Sequence, residues 1–263
     1  MLIPVLWVVT ASVKENKEFY RSPWALPEGF YFKNFSDAWN NAKIGSYFLN
    51  SVIVTALAIF ILLIVALPAS YALSRLYFRE KNLLNGFFMA GLFINVSYIV
   101  VPIFLMLIEA GDIVGEQVFL NNKFVLATVY AATALPFTIY LLSGYMKTIP
   151  AAYEEAANVD GAGYFRTMIQ IIFPMAKSSI TTVILFNFLA FWNEYIIALT
   201  LMTDEASKTL PVGLMNLMKA QNAAAQYGQL YAGLVIVMLP TLILYIIVQK
   251  KLLTGIAVGG IKG

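Results

Sequence analysis

Five stretches of the chain, 44–74, 82–108, 124–146, 178–203 and 220–249, run almost without a charged residue. Each exceeds the about 20 apolar residues that a helix needs to cross the hydrocarbon core. None alternates apolar and polar positions as a barrel strand must, so all five read as membrane helices. They are densest at 52–67 and 230–248. Residues 1–13 are apolar too, but too short to span alone. They lack the basic lead and clean small-residue cleavage site of a secretory leader, and read as the outer half of a span that begins upstream of Met1. The expected fold class is therefore an all-α integral membrane protein with six transmembrane helices, the first truncated at its N-terminus. Pro68, Pro102 and Pro136 fall inside spans, where proline makes a kink or serves as a hinge.

Composition supports this pattern. Of 263 residues, 60% are hydrophobic and 12% charged, against roughly 45–50% and about 25% in soluble domains. Too few polar side chains remain to coat a soluble fold. There is no Cys and no His, which removes disulfides, thiol nucleophiles, imidazole bases and His-bearing metal sites. The remaining carboxylates offer no acid–base pair, so the chain does not read as an enzyme. A net charge of +3 gives no reason to invoke nucleic acid.

The distribution of charge is more telling. If the spans alternate, one side carries 75–81, 147–177 and the C-terminal tail, with nine basic and four acidic residues. The other carries 14–43, 109–123 and 204–219, with eight basic and nine acidic residues. By the positive-inside rule the first side is cytoplasmic.

The 147–177 connection is too long for a plain link and has helical character. Ile149-Pro150 starts a helix, Ala151, Ala152, Ala156 and Ala157 sustain it, and Glu154 and Glu155 suit its early turns. Asp160-Gly161 marks a turn, 163–172 forms a second helix, and Pro174 opens the next span. Small residues beside acids and aromatics (Tyr153, Tyr164, Phe165) make a docking knob.

The spacing here, Glu155-Ala156-Ala157, three residues, Gly161, nine residues, then Ile171-Ile172-Phe173-Pro174, resembles the EAA loop of permease subunits in binding-protein-dependent ABC importers. Phe173 stands where the family usually has Leu. Phe48-Leu49-Asn50-Ser51 looks like the family's F-x-N-S element, and Trp192-Asn193-Glu194 resembles an element of the carbohydrate branch. The ending Gly260-Ile261-Lys262-Gly263 is similar to the tail of maltose-type second permease subunits. The resemblance implies a type I ABC importer permease fold. It divides the chain into 1–43 (partial first helix and extracytoplasmic loop), 44–252 (permease domain with coupling loop 147–177) and 253–263 (cytoplasmic tail).

No Walker A sequence occurs in the chain, so ATP and Mg are expected on a separate ATPase dimer at the cytoplasmic face. The resemblance further implies a second permease subunit, an unlike one forming a heterodimer, and an extracytoplasmic substrate-binding protein, in a bacterial or archaeal cytoplasmic membrane. Glu155, Ala156, Ala157, Asp160, Gly161, Ile171 and Pro174 are the expected ATPase-coupling residues. Glu194 is the one charge inside a dense span, and intramembrane charges mark functional sites by default. With Asn187, Trp192 and Asn193 it forms a candidate translocation pathway. Helix–helix hydrogen bonding is the alternative role for these groups. The polar segment 204–227, with Gly213, Asn216, Gln221, Asn222 and Gln226, reads as an outer loop. A sugar is the expected cargo; another small solute such as an amino acid, or a secondary transporter, are the competing readings.

Overall fold

A computed structural model describes residues 2–115, 118–224 and 226–259. Among them all the regular structure is helical, in fourteen α segments: α1 (Leu2–Ser12), α2 (Asn16–Arg21), α3 (Lys33–Asn40), α4 (Ile44–Arg75), α5 (Lys81–Gly91), α6 (Val96–Val114), α7 (Lys123–Met146), α8 (Ala152–Val159), α9 (Tyr164–Thr167), α10 (Phe173–Met175), α11 (Lys177–Trp192), α12 (Ile196–Leu201), α13 (Leu210–Ala224) and α14 (Tyr227–Gly259). A π-helical turn, Met168–Ile172, joins α9 to α10.

Among the described residues four helices are long and apolar enough to cross a membrane: α4, α6, α7 and, within α14, Tyr227–Ile246. A fifth path is bent by 76° between Tyr164–Met175 and Lys177–Trp192. With 32 residues, α4 is roughly 48 Å long at 1.5 Å per residue, well beyond the ~30 Å hydrocarbon core, so its ends protrude.

The core is built on α4 and α7, which pack along one another and run parallel. Val54, Ala58, Leu62 and Ala66 of α4 meet Leu126, Ala127, Tyr130 and Ala131 of α7, with Val183 and Phe191 of α11 and Ile197 and Leu201 of α12 joining them. The alanines let the backbones approach closely, which stabilises helix pairs where lipid offers no hydrophobic drive. A second cluster joins α3, the start of α4, Trp192, α13 and α14 at one end. A third joins Tyr71, Met146, Ile149, Met168, Ile172 and Ala176 at the other. The charged loop and the polar 204–209 turn therefore lie at opposite ends of the bundle.

Four expectations are corrected. The 82–108 stretch is not one helix: it breaks after Gly91 and restarts at Val96, where the Asn95 side chain accepts from Ser97 N at 2.9 Å and caps α6. The new helix then runs past Glu109 and Asp112 to Val114. The 178–203 stretch breaks at 193–195. Pro174 does not open a span; it sits in α10, ahead of the bend, and the span starts at Lys177. Most of the 204–227 segment is not a loop but α13, 15 residues long. The side chains of Gln221 and Asn222, and residues 260–263 of the tail, lie outside the described residues.

Candidate functional site

The charged loop forms a short helix, a glycine turn and a return arm. Glu154 and Glu155 stand in the first turn of α8, where free N–H groups and the helix dipole favour acids. The helix begins at Ala152, two residues later than the proline signal places it. At its end Gly161 N–H donates to Asn158 O at 3.0 Å and Ala162 N–H to Ala157 O at 2.9 Å. This paired closure needs a left-handed residue, and Gly161 supplies it at φ 75°.

One side of α8 faces the bundle. Ala157 is 4% exposed, whereas Glu155, Ala156, Asp160 and Gly161 are exposed. The two motif alanines therefore face opposite ways: Ala157 seats the helix on its own bundle and Ala156 faces out. The same loop and its return arm expose the apolar side chains of Tyr153, Val159, Tyr164, Phe165 and Ile169.

The return arm is wound by its proline. Pro174 has no N–H for the Gln170 carbonyl, so an α-helix through it would leave an unpaired acceptor. The π turn shifts the ladder, with Phe173 N–H reaching Met168 O. Ile172 is fully buried and Ile171 half-buried against the third cluster, while Pro174 is exposed.

Arg75 joins this loop to two spans. Its Nη1 lies 3.5 Å from Glu154 Oε2, with the two side chains 12% and 18% exposed. Its Nη2 donates to Met146 O at 2.6 Å and also to Ile149 O. Tyr71 faces the same carboxylate. In the sequence Arg75 registers only as an orientation charge, because its partners are distant in the chain.

The broken span has its own polar centre. With 16 residues, α11 is about 24 Å long, too short to cross alone, and the path continues through 193–195 into α12. The break frees N–H groups at the start of α12. Glu194 satisfies them: Oε1 accepts from Ile197 N at 2.8 Å and Oε2 from Ala198 N at 3.0 Å, while Tyr130 donates its hydroxyl to Oε2 at 2.8 Å. Irregular backbone at membrane depth persists only when its polar groups are satisfied in this way.

The other pathway candidates divide. Asn187, 3% exposed, donates to Thr138 Oγ1 at 3.1 Å and Val183 O at 2.9 Å, joining α11 to α7. Trp192, 2% exposed, lies stacked on Phe188 and edge-on to Phe48, with its indole N–H 3.3 Å from Val237 O. Asn193 is exposed, its amide donating to Leu189 O at 2.8 Å.

At the opposite end the Asn50-Ser51 pair acquires a role. Asn50 donates to Ala206 O and Lys208 O, both at 2.9 Å, and Ser51 Oγ accepts from Leu210 N at 2.8 Å. Together they hold the turn before α13 and cap that helix. Lys208 and Tyr47 both donate to Glu205. The Lys208 bond first, then the Tyr47 bond, hold the Glu205 carboxyl below the usual carboxylate range. Asn121, at φ 57°, accepts from Asp204 N at 2.9 Å and Ser207 Oγ at 3.0 Å, tying the start of α7 to the same turn. Among the described residues no group of His, Cys, Asp and Glu is arranged to hold a metal.

Several long apolar helices, a broken span with a satisfied polar centre, and an exposed structured loop at one end define the class as a multi-pass membrane protein. Residues 66–253 match the binding-protein-dependent transport system inner membrane component family, and the chain belongs to that family. It is a permease component and not an enzyme; the ATPase of such systems is a separate subunit. Membership implies partnership with another permease, an ATPase and a binding protein. The chain is 34% identical to the diacetylchitobiose uptake system permease protein NgcG of Streptomyces coelicolor, over 98% of this chain and 83% of that one. It is 31% identical to the melibiose/raffinose/stachyose import permease protein MelC of Bacillus subtilis, over 99% and 91%. The fold matches a chain in the crystal structure of a bacterial ABC transporter involved in alginate import, with TM-score 0.78, 23% identity, and 94% and 89% coverage.

Proposed function

We propose that this chain is a permease subunit of an ATP-driven sugar importer in a bacterial or archaeal cytoplasmic membrane, with α8 as the element that docks on the ATPase. Six spans are counted in this reading: α1, α4, α6, α7, the α11–α12 path and α14. The 147–177 loop and the C-terminus then face the cytoplasm, and the α13 end faces outward toward a substrate-binding protein. An unlike second permease completes the pathway, and ATP and Mg belong to the ATPase dimer. The whole-chain similarity to relatives named for oligosaccharide uptake supports the cargo class.

The observation that carries the docking role is the outward face of α8. Glu155 is exposed and makes no ion pair or side-chain hydrogen bond among the described residues, while its neighbour Glu154 is turned inward to Arg75. Glu155 takes a basic residue in the ATPase groove, Ala156 allows close approach, and Tyr153, Val159 and Phe165 supply exposed apolar contacts. Ala157, Asp160, Gly161, Ile171 and Pro174 shape the loop that presents this face. In the pathway, Asn187, Trp192 and Glu194 hold the broken span in shape, and Asn193 is the group turned outward.

Glu155→Lys reverses the charge of the docking face, and Gly161→Asp places an acid at the turn. A Cβ at Gly161 meets nothing within 4 Å; the positive φ strains any side chain, but Asp tolerates the left-handed region better than most residues, so the turn is expected to persist at a modest cost. Both variants are expected to insert and assemble with the second permease while losing uptake. Normal uptake in both would overturn the docking role.

A further inference from the structure

We propose that Arg75 is the residue through which movement of α8 is passed to α4 and α7, with the last two turns of α4 acting as a lever hinged at Pro68. This rests on the docking role given to α8 above and adds the route by which its movement enters the membrane.

The contacts of Arg75 come from three separate segments. Nη1 faces Glu154 in the first turn of α8, and Nη2 donates to Met146 O, the last residue of α7, and to Ile149 O beyond it. The guanidinium is planar and presents several donors in a fixed fork, so these partners are held in one mutual geometry. It also supplies positive charge at the C-terminal end of α7, where the helix dipole favours a cation. The pair is largely shielded from water, 12% and 18% exposed. Removing one partner of such a pair costs far more than removing one from an exposed pair. When α8 shifts, the ends of α4 and α7 must therefore move with it or the contact must break.

A movement delivered at Arg75 meets a weak point in α4. Pro68 lies inside the helix, where it removes one ladder hydrogen bond and permits bending. Space for the motion is present. An apolar crevice of about 290 Å³ is lined by Pro68, Tyr71, Ala72 and Leu76 at the end of α4 and by Tyr164, Phe165 and Met168 of the return arm. Hinge, clamp and clearance thus coincide in one short segment.

The test uses the assembled transporter with its ATPase and partner permease in cysteine-free form; this chain has no cysteine of its own. Spin labels are placed at Leu49→Cys, near the start of α4, and at Tyr77→Cys, two residues past its end, positions 59% and 98% exposed. A second preparation carries labels at Leu49→Cys and Val159→Cys, the latter at the end of α8. Distances are read before and after addition of Mg-ATP with vanadate. In the parent both pairs are expected to shift. In Arg75→Gln the Val159 pair still shifts, because α8 stays docked, and the Tyr77 shift is lost. Glu154→Gln, which leaves Arg75 on its two carbonyls, loses the Tyr77 shift as well and serves where Arg75→Gln fails to assemble. A residue that only stabilised the fold would lower the yield of complex without separating the two distances. An unchanged Tyr77 shift in either variant overturns the lever, as does a parent in which Val159 moves and Tyr77 does not. A parent in which neither moves overturns the docking role and the lever together.

Discussion

Gly161 and Glu194 show how far single residues can be read. Gly161 is legible because the requirement is local: a helix end that closes through a left-handed residue. Gly161→Val places a β-branched side chain at φ 75°, which costs about 1–2 kcal/mol. The thermal midpoint of the purified chain is expected to fall accordingly; an unaltered midpoint would show that the turn tolerates branching. Glu194 is visible in the sequence as an anomaly, but its role depends on Tyr130 and on a chain break that hydrophobicity conceals. Glu194→Ala leaves the N–H groups of Ile197 and Ala198 and the Tyr130 hydroxyl unpaired, a loss of about 1–3 kcal/mol or more. Tyr130→Phe removes one bond and costs about 1 kcal/mol. Equal losses in the two variants, measured by thermal unfolding in detergent, would contradict the capping role. Glu205 gives a pH effect of known sign. Its folded value is lowered from 4.5, so its contribution is complete above that pH and fades as pH falls through the lowered value. The group is half exposed and the effect is small. Glu205→Gln is expected to flatten the acid side of the stability profile, and a mutant with unchanged acid sensitivity would assign that loss to other groups.

At the scale of elements, apolar density located α4 and α7 to within a residue or two and failed where short polar signals mattered. Asn95 caps α6 and divides a stretch that hydrophobicity alone reads as continuous. Polar residues from Gly213 to Gln226 suggested a loop, yet Pro211 lies in the first turn of a helix whose leading N–H is taken by Ser51. The partner that fixes this helix is far away in sequence, which is why it was not legible. Gly213 tests the packing. A Cβ there would stand 2.0 Å from the Tyr47 ring. Replacing glycine by alanine inside a helix normally gains up to about 1 kcal/mol; here the overlap must displace Tyr47 and its bond to Glu205. The overpacking cost of about 1–3 kcal/mol prevails, and Gly213→Ala is expected to lower the thermal midpoint. A raised midpoint would mean that α13 is free to move away from α4.

For the whole molecule, the structure brings Arg75, Met146 and α8 to one end and Asn50, Asn121 and Glu205 to the other, as alternating spans require. Family membership was legible from the spacing between Glu155 and Pro174, because that signal lies within one short segment and needs no distant partner. The clamp at Arg75 and the capped break at Glu194 were not, because each is made of residues brought together only by the folded bundle. The docking role of α8 is tested most directly by purifying the chain with an ATPase chain and a second permease, and measuring ATP hydrolysis when a sugar-loaded binding protein is added. Stable co-purification with sugar-stimulated hydrolysis, both lost in Glu155→Lys, is the predicted result. Uptake by this chain alone without ATP, or an ATPase that binds Glu155→Lys and responds to sugar as before, would contradict it.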